Sequence, residues 1–272
     1  MVMKAAVLGH PVSQSLSPRI FNEWFDAVGF PGEYEAIDTP PDAFEETVRR
    51  LMAEGYAGVN VTLPHKNVAA SLADFRNKAV ERCGAANLLL FRSGKIIADN
   101  TDGAGFARCL VRRDKPGASL PSKAVVLGAG GAASPVINQL TPQRVHIANR
   151  TKAKAEALAE NFGPSCSAHD WDEIPELLKG ADLLVNTTSL GMKGQPTLDI
   201  DLAPMSPDAL VVDIVYAPLQ TELLKQARKL GLGTSNGLTM LVYQAVPSFL
   251  AYTGLRAPSP EKTLRALEAE KR

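Results

Sequence analysis

The sequence predicts an α/β protein of two domains, one of them a parallel sheet wrapped on both faces by helices. Three observations carry this. The chain has 272 residues, long for one compact unit and comfortable for two. Beyond Ser122, short β-rich runs alternate with helical stretches, the signature of a parallel sheet with crossover helices. The first hundred residues also alternate strand with helix and then read as a β-hairpin. With 45% hydrophobic and 21% charged residues, the chain has enough apolar surface for real cores, which excludes disorder.

Taken in order, residues 4–8 predict a strand closed by Gly9, followed by a polar loop to Ser17. Ile20, Phe21, Trp24 and Phe25 fall at helical spacing. A second helix is expected over residues 41–54, with Phe44, Val48, Leu51 and Met52 on one face and Gly55 as its stop. Residues 56–63 predict a strand and 65–72 a helix. Residues 86–91 and 95–98 flank Ser93-Gly94, the pattern of a hairpin. A short apolar helix is expected over 106–110. Pro116, Gly117 and Pro121 mark a loop over 115–122. Strands are then expected at 124–127, 145–148, 183–186 and 210–215. The C-terminal part turns helical from Leu238 and again over 260–271.

Charge and composition narrow the function. Lys+Arg and Asp+Glu are both 29, so no whole-molecule field attracts nucleic acid or an acidic membrane. No apolar run approaches the roughly 18 residues of a membrane span. Met1-Val2-Met3-Lys4 leads into an apolar stretch too short for a signal peptide. Cys83, Cys109 and Cys166 are odd in number and lack CxxC spacing, which points to reduced thiols in the cytoplasm. His10, His65, His146 and His169 form no HxxxH pair, so no metal site is expected.

The sharpest motif is Gly128-Ala129-Gly130-Gly131-Ala132-Ala133, which follows a predicted strand and opens a predicted helix. In that context the first glycine permits a tight turn, and the second lets backbone approach a pyrophosphate. Ala133 is small enough to let helix pack on strand. The alternative is a ligand-free turn rich in small residues. The next strand ends Ala148-Asn149-Arg150-Thr151, where an NAD site carries a carboxylate for the ribose hydroxyls. Arg150 and Lys154 stand there instead, suited to a 2′-phosphate, and Thr151 is placed to cap the helix or donate to that phosphate. Both cations are poorly placed for a helix dipole, so an anion explains them better than a merely solvated helix start. NADP is therefore expected over NAD.

Three polar clusters stand in the first hundred residues. In Ser13-Gln14-Ser15-Leu16-Ser17-Pro18, Ser17 reads as an N-cap, while Ser15 is suited to gripping a carboxylate. In Asn60-Val61-Thr62-Leu63-Pro64-His65-Lys66, Lys66 lies in a first helical turn, either as an ordinary surface lysine or as a functional one. In Asp99-Asn100-Thr101-Asp102-Gly103, Asp102 reads as a helix cap or as a catalytic carboxylate.

These motifs together resemble the shikimate dehydrogenase family. The match continues through Gly84-Ala85-Ala86-Asn87, Asn186-Thr187-Thr188-Ser189-Leu190-Gly191-Met192, Asp213-Ile214-Val215-Tyr216-Ala217-Pro218 and Gly237-Leu238-Thr239-Met240-Leu241-Val242-Tyr243-Gln244-Ala245. The resemblance implies NADPH-dependent, reversible reduction of 3-dehydroshikimate to shikimate, in aromatic amino acid biosynthesis. It implies Ser15 and Ser17 on the substrate carboxylate, and Thr62, Asn87, Asp102 and Gln244 on its hydroxyls, with Tyr216 also lining the substrate. Lys66 and Asp102 would be the catalytic pair. Gly128, Ala129, Gly130, Gly131 and Ala132 would cradle the pyrophosphate, with Asn149, Arg150, Thr151 and Lys154 on the adenosine phosphate. Thr187, Ser189, Met192, Val215, Gly237 and Met240 would lead to the nicotinamide.

The fold it implies is a substrate domain of residues 1–102 plus 237–272 and a Rossmann-type NADP domain of residues 103–236. Ligands are expected in a cleft between them and hinges near Gly103 and Gly237. The partner is a small molecule, and the resemblance admits a homodimer. Leu88 stands where the family commonly has Thr, and Ser134-Pro135 where an Arg often follows the alanines, so one nearby positive charge is missing. An NAD-linked quinate/shikimate dehydrogenase is the competing enzyme. A non-catalytic NADP sensor on the same fold is the competing class.

Overall fold

The computed structural model describes residues 2–111, 121–141 and 143–270. Most of the loop expected over 115–122 therefore lies outside the described residues. By its internal contacts the chain divides into two compact units, Met1–Asp102 with Leu241–Ala266, and Gly103–Met240 with Leu267–Arg272.

The first unit contains β1 (Met3–Gly9), α1 (Ser17–Val28), β2 (Gly32–Asp38), α2 (Phe44–Ala53), β3 (Gly58–Val61), α3 (Lys66–Leu72), β4 (Phe75–Arg76), α4 (Lys78–Cys83), β5 (Leu88–Arg92) and β6 (Lys95–Asp99). Its sheet has the order β2-β1-β3-β5-β6-β4. β1 runs parallel to β2 and β3, whereas β5 is antiparallel to both β3 and β6. Ala6, Leu8, Val59 and Val61 pack with Phe44, Val48 and Leu51 of α2. The intervening residues Ala5 and Val7 are buried too, as expected of strands covered on both faces.

The helical face predicted for α1 is real: Ile20, Phe21, Trp24 and Phe25 are all buried. Phe21 stacks on Tyr34 of β2 with centroids 4.2 Å apart. Trp24 and Phe25 meet Phe249 at 5.6 and 5.5 Å. This aromatic cluster draws the returning C-terminal segment into the first unit.

The second unit begins with α5 (Asp102–Cys109), whose first residue belongs to unit one. It continues through β7 (Lys123–Leu127), α6 (Ala133–Leu140), β8 (Arg144–Ala148), α7 (Lys152–Phe162), β9 (Cys166–His169), α8 (Ile174–Leu177), β10 (Leu183–Asn186), β11 (Leu210–Asp213), α9 (Glu222–Lys229) and β12 (Gly233–Asn236). Two more helices, α10 (Gly237–Thr253) and α11 (Pro260–Glu270), complete the chain. The second sheet is parallel throughout, in the order β12-β11-β10-β7-β8-β9. Numbered from β7, that is the 3-2-1-4-5-6 order of a doubly wound dinucleotide fold, and β7 and β10 flank its switch point.

The structure differs from the sequence reading at several boundaries. The return to the first unit comes at Leu241 rather than Gly237, because the Gly237 N–H donates to Val215 O and a Cβ there would lie 1.9 Å from Ile214 O. The last turn of α11, with Leu267 buried, counts with the second unit. Residues 41–43 form a 3-10 turn, closed by Ala43 N–H on Pro40 O, and α2 starts only at Phe44. β3 is shorter than expected, since the Tyr56 N–H is taken by Leu51 O at the end of α2. β11 stops at Asp213, whose own carboxylate accepts the Val215 N–H at 3.1 Å and turns the chain.

The indole N–H of Trp24 donates to Thr263 Oγ1 at 2.8 Å, fastening α11 to α1 in a buried position. Thr263→Val strands that donor. It is expected to lower stability by about 1–3 kcal/mol, read by urea denaturation, with kcat of the folded enzyme unchanged.

Candidate functional site

Lys66 is the first residue of α3 and Asp102 the first of α5. The hairpin β5–β6 lies between them in sequence and brings them together. Ala86 N–H donates to Lys66 O at 2.8 Å, and Asn87 N–H to Asp99 O at 3.1 Å. Lys66 Nζ then donates to Asp102 Oδ2 at 2.6 Å. Only 14% of the lysine side chain and 6% of the aspartate side chain are exposed. The surface-lysine reading of Lys66 is thereby corrected. The capping reading of Asp102 is corrected too: Asn100 Oδ1 accepts the Asp102 N–H at 3.1 Å, so a neighbour caps α5 and leaves the Asp102 carboxylate free for Lys66. A buried ion pair is weak evidence for stability, so its presence here calls for another reason.

The second oxygen of Asp102 accepts from Asn87 Nδ2 at 2.9 Å, and the same amide approaches Gln244 Oε1 at 3.2 Å. Lys66, Asn87, Asp102 and Gln244 therefore form one connected group in the first unit. Thr62 is half-buried at the end of β3, and no hydrogen bond occupies its hydroxyl among the described residues. Its neighbour His65 is committed elsewhere. Its ring is buried against Phe44 and its Nε2–H donates to Thr39 O at 2.7 Å, which anchors the start of α3.

The expected N-cap role of Ser17 is corrected. Ile20 N–H bonds to Leu16 O, which makes Leu16 the cap residue, and Ser17 is already helical and buried. Ser15 Oγ accepts the Ser17 N–H at 3.3 Å, while the Ser17 hydroxyl itself has no partner among the described residues. That leaves a hydroxyl at the α1 N-terminus able to bind an anion.

In the second unit, the loop from Gly128 to Ala132 joins β7 to α6. Gly128 has φ +102°, and a Cβ there would sit 2.8 Å from Thr187 Oγ1, so no other residue fits. Gly130 has nothing within 4 Å of an added Cβ, so open space lies above it where a ligand's phosphates can approach. Ser134 and Pro135 are buried at the start of α6, where the missing N–H of proline has no intrahelical acceptor to lose. Leu88 is fully buried in β5, a core position.

Arg150 and Lys154 are exposed and make no ion pair among the described residues. Lys152, one residue into α7, is by contrast neutralised by Asp170 at 2.9 Å. Thr151 is the N-cap residue of α7, yet its side chain makes no cap bond, so the capping reading fails and its hydroxyl is available. Asn149 Nδ2 donates to Thr151 O at 2.8 Å and shapes this turn. The residues thus fit a dinucleotide with a phosphate on its adenosine ribose: two cations and a hydroxyl without partners among the described residues, and a glycine cradle.

Thr187, Ser189, Met192, Val215, Gly237 and Met240 follow β10, β11 and β12, whose last residues Asn186, Asp213 and Asn236 are in register. Ser189 and Met192 are exposed, whereas Val215, Gly237 and Met240 are buried. Burial pushes the Tyr216 hydroxyl above its ordinary pKa. Sequence reasoning gave no role to Asn186 and Asp213, which hold these loops. Asn186 Nδ2 donates to Asp213 Oδ1 at 3.0 Å and Thr221 Oγ1 to Asp213 Oδ2 at 2.6 Å. Burial raises the Asp213 carboxyl against the pull of these donors. A polar residue closing each of two adjacent apolar strands was the available signal.

Comparison with known proteins gives a family. Residues 7–89 match the shikimate dehydrogenase substrate binding domain, and residues 113–214 match shikimate / quinate 5-dehydrogenase. A shikimate dehydrogenase (NADP(+)) of Methylobacterium radiotolerans is 48% identical, covering 93% of this chain and 92% of its own. That of Rhizobium meliloti is 45% identical, covering 98% and 94%. The Thermus thermophilus shikimate 5-dehydrogenase in complex with NADP(H) and shikimate superposes with a TM-score of 0.87 at 35% identity, over 98% of this chain and 99% of that one. The quinate dehydrogenase of Corynebacterium glutamicum in complex with NAD also gives 0.87, at 28% identity over 98% and 99%. With likeness of this extent along nearly its whole length, the chain belongs to the shikimate dehydrogenase family.

Proposed function

We propose that this protein catalyses the reversible, NADPH-dependent reduction of 3-dehydroshikimate to shikimate, a step toward the aromatic amino acids. The observation that carries the reading is the buried Lys66–Asp102 pair, with its 2.6 Å Nζ–Oδ2 contact. The first unit is the substrate domain and the second the NADP domain. When bound, the dinucleotide supplies hydride chemistry at the ring carbon.

The chain's own residues do the rest. The Lys66 ammonium donates a proton to the ketone oxygen as negative charge grows there, and takes one back in the oxidative direction. Asp102 holds Lys66 in place and accepts from a substrate hydroxyl. Ser15 and Ser17 bind the carboxylate, Thr62, Asn87 and Gln244 the ring hydroxyls, and Tyr216 lines the substrate. Gly128, Ala129, Gly130, Gly131 and Ala132 hold the pyrophosphate. Arg150 and Lys154, with Asn149 and Thr151, hold the 2′-phosphate. Thr187, Ser189, Met192, Val215, Gly237 and Met240 line the nicotinamide side. These local charges explain how a protein of zero net charge takes up anionic ligands.

Lys66→Ala is expected to lower kcat by about a hundredfold or more, with a much smaller change in the shikimate KM. Near-wild-type turnover in that variant refutes the catalytic assignment. Arg150→Ala is expected to raise the NADP KM about tenfold and leave that for NAD unchanged. Initial rates with shikimate and quinate, each against NADP and NAD, should favour shikimate with NADP. Arg150 and Lys154 after β8, unpaired among the described residues, favour this over NAD-linked quinate oxidation, which clear quinate turnover with NAD would establish instead.

A further inference from the structure

Behind the Lys66–Asp102 pair lies a side chain to which the functional reading gives no role. Thr101 is 3% exposed. Its backbone N–H donates to Asn87 Oδ1 at 2.7 Å. Its Oγ1 lies 2.9 Å from Asn87 Nδ2, 3.2 Å from Gln244 Oε1 and 3.2 Å from Asn87 Oδ1. Ser248 Oγ stands at 3.4 Å. A hydroxyl has one proton to give and two lone pairs to fill, so these contacts admit few arrangements.

The backbone bond fixes the first amide. With the oxygen of Asn87 held by Thr101 N–H, its amino end must face Asp102 Oδ1. The reversed amide would set a carbonyl oxygen against a carboxylate and an N–H against an N–H. One hydrogen of Nδ2 goes to Asp102, and the other to Thr101 Oγ1 at 2.9 Å, nearer than Gln244 Oε1 at 3.2 Å. Asn87 Oδ1 already accepts the Thr101 N–H, so the Thr101 proton is best used on Gln244 Oε1, at the same 3.2 Å, and together with Asn87 Nδ2 it turns that oxygen inward. The amino end of Gln244 donates one hydrogen to Leu241 O at 3.0 Å and keeps the other for a ligand.

The far side is occupied by a second buried network, with Ser248 Oγ also within 3.4 Å of Gln244 O. Ser248 Oγ accepts from Asn60 Nδ2 at 3.1 Å, and Asn60 Oδ1 accepts from Tyr34 and Tyr252 at 2.8 and 3.1 Å. All of these groups are buried. Gln244 Oε1 is therefore the nearer acceptor for Thr101 than Ser248 Oγ, and neither amide can turn over without stranding a buried polar atom.

We infer that Thr101 is a positioning residue: through one hydroxyl and one N–H it sets the facing of the Asn87 and Gln244 amides, so that Asp102 meets a donor and Gln244 presents one. The inference rests on the dehydrogenase reading above. Thr101 touches neither substrate nor cofactor in this role.

The test compares Thr101→Ser, which keeps the hydroxyl, with Thr101→Val, which keeps the shape, in the full-length enzyme oxidising shikimate with NADP. Thr101→Ser is expected within about threefold of wild type. Thr101→Val is expected to lose about tenfold or more in kcat, to shift the pH profile of kcat, and to leave the NADP KM unchanged. Thr101→Ala, with the same expected losses, replaces it if the valine variant fails to fold. A variant lacking the hydroxyl but within twofold of wild-type kcat overturns the inference. So does a serine variant as impaired as the valine one, or a hydroxyl needed only for folding, shown when Ser folds and both Val and Ala do not. An inactive wild type overturns the dehydrogenase reading itself, and is thus distinguishable from these outcomes.

Discussion

A carboxylate held almost out of water needs donors for both its oxygens, and Asp102 is in that position with 6% of its side chain exposed. Lys66 meets one oxygen and Asn87 the other. Each donor has to be delivered by a different part of the first sheet: Lys66 by the turn after β3, Asn87 by the entry to β5, and Asp102 itself by the exit from β6. The mixed order of this sheet places β3, β5 and β6 side by side, so the three meet at one end. The aromatic cluster around Phe21 and Phe249 then seats α10, which carries Gln244 to the same group. Much of the first unit can be understood as the support that one desolvated charge requires.

The second unit solves the opposite problem. Its charges at the start of α7 stay in water, and what distinguishes them is the lack of neutralisation. Lys152 has Asp170, whereas Arg150 and Lys154 have no such partner among the described residues. Exposed cations cost little to maintain and stay open to an arriving anion. The neutral total of the chain conceals these two strategies, one desolvated and paired, the other solvated and open.

The elements legible in the sequence were those with apolar periodicity. The faces of α1 and α2 and the central strands β1, β3, β7, β8, β10 and β11 were all readable, because burial on two sides writes continuous apolar runs. The strands left unread are β2, β4, β9 and β12, and these are the four edges of the two sheets. β2 reads Gly-Glu-Tyr-Glu-Ala-Ile-Asp with only Tyr34 buried, and β12 reads Gly-Thr-Ser-Asn. An edge strand is specified mainly by the backbone bonds of its neighbour, and polar side chains there discourage pairing with other chains. At the site, the residue types were visible as motifs, but their partners were not. Ser17, Thr151 and Asp102 all carry helix-capping chemistry, and only the folded chain decides that Leu16 and Asn100 take over two caps and that the third is left unmade.

The register of the parallel sheet has a further consequence. Leu127 stands level with both Ala148 and Asn186, and Asn186 with Asp213. The last residues of four strands thus share one row, and the loops bearing Gly128, Asn149, Thr187 and Val215 all start from it. One residue added to or lost from any of these strands would invert its alternation of faces and step its loop off the row. Length can drift in the loops and in the edge strands, but the four inner strands act as a fixed reading frame in space, and an insertion there is a frameshift of the binding surface.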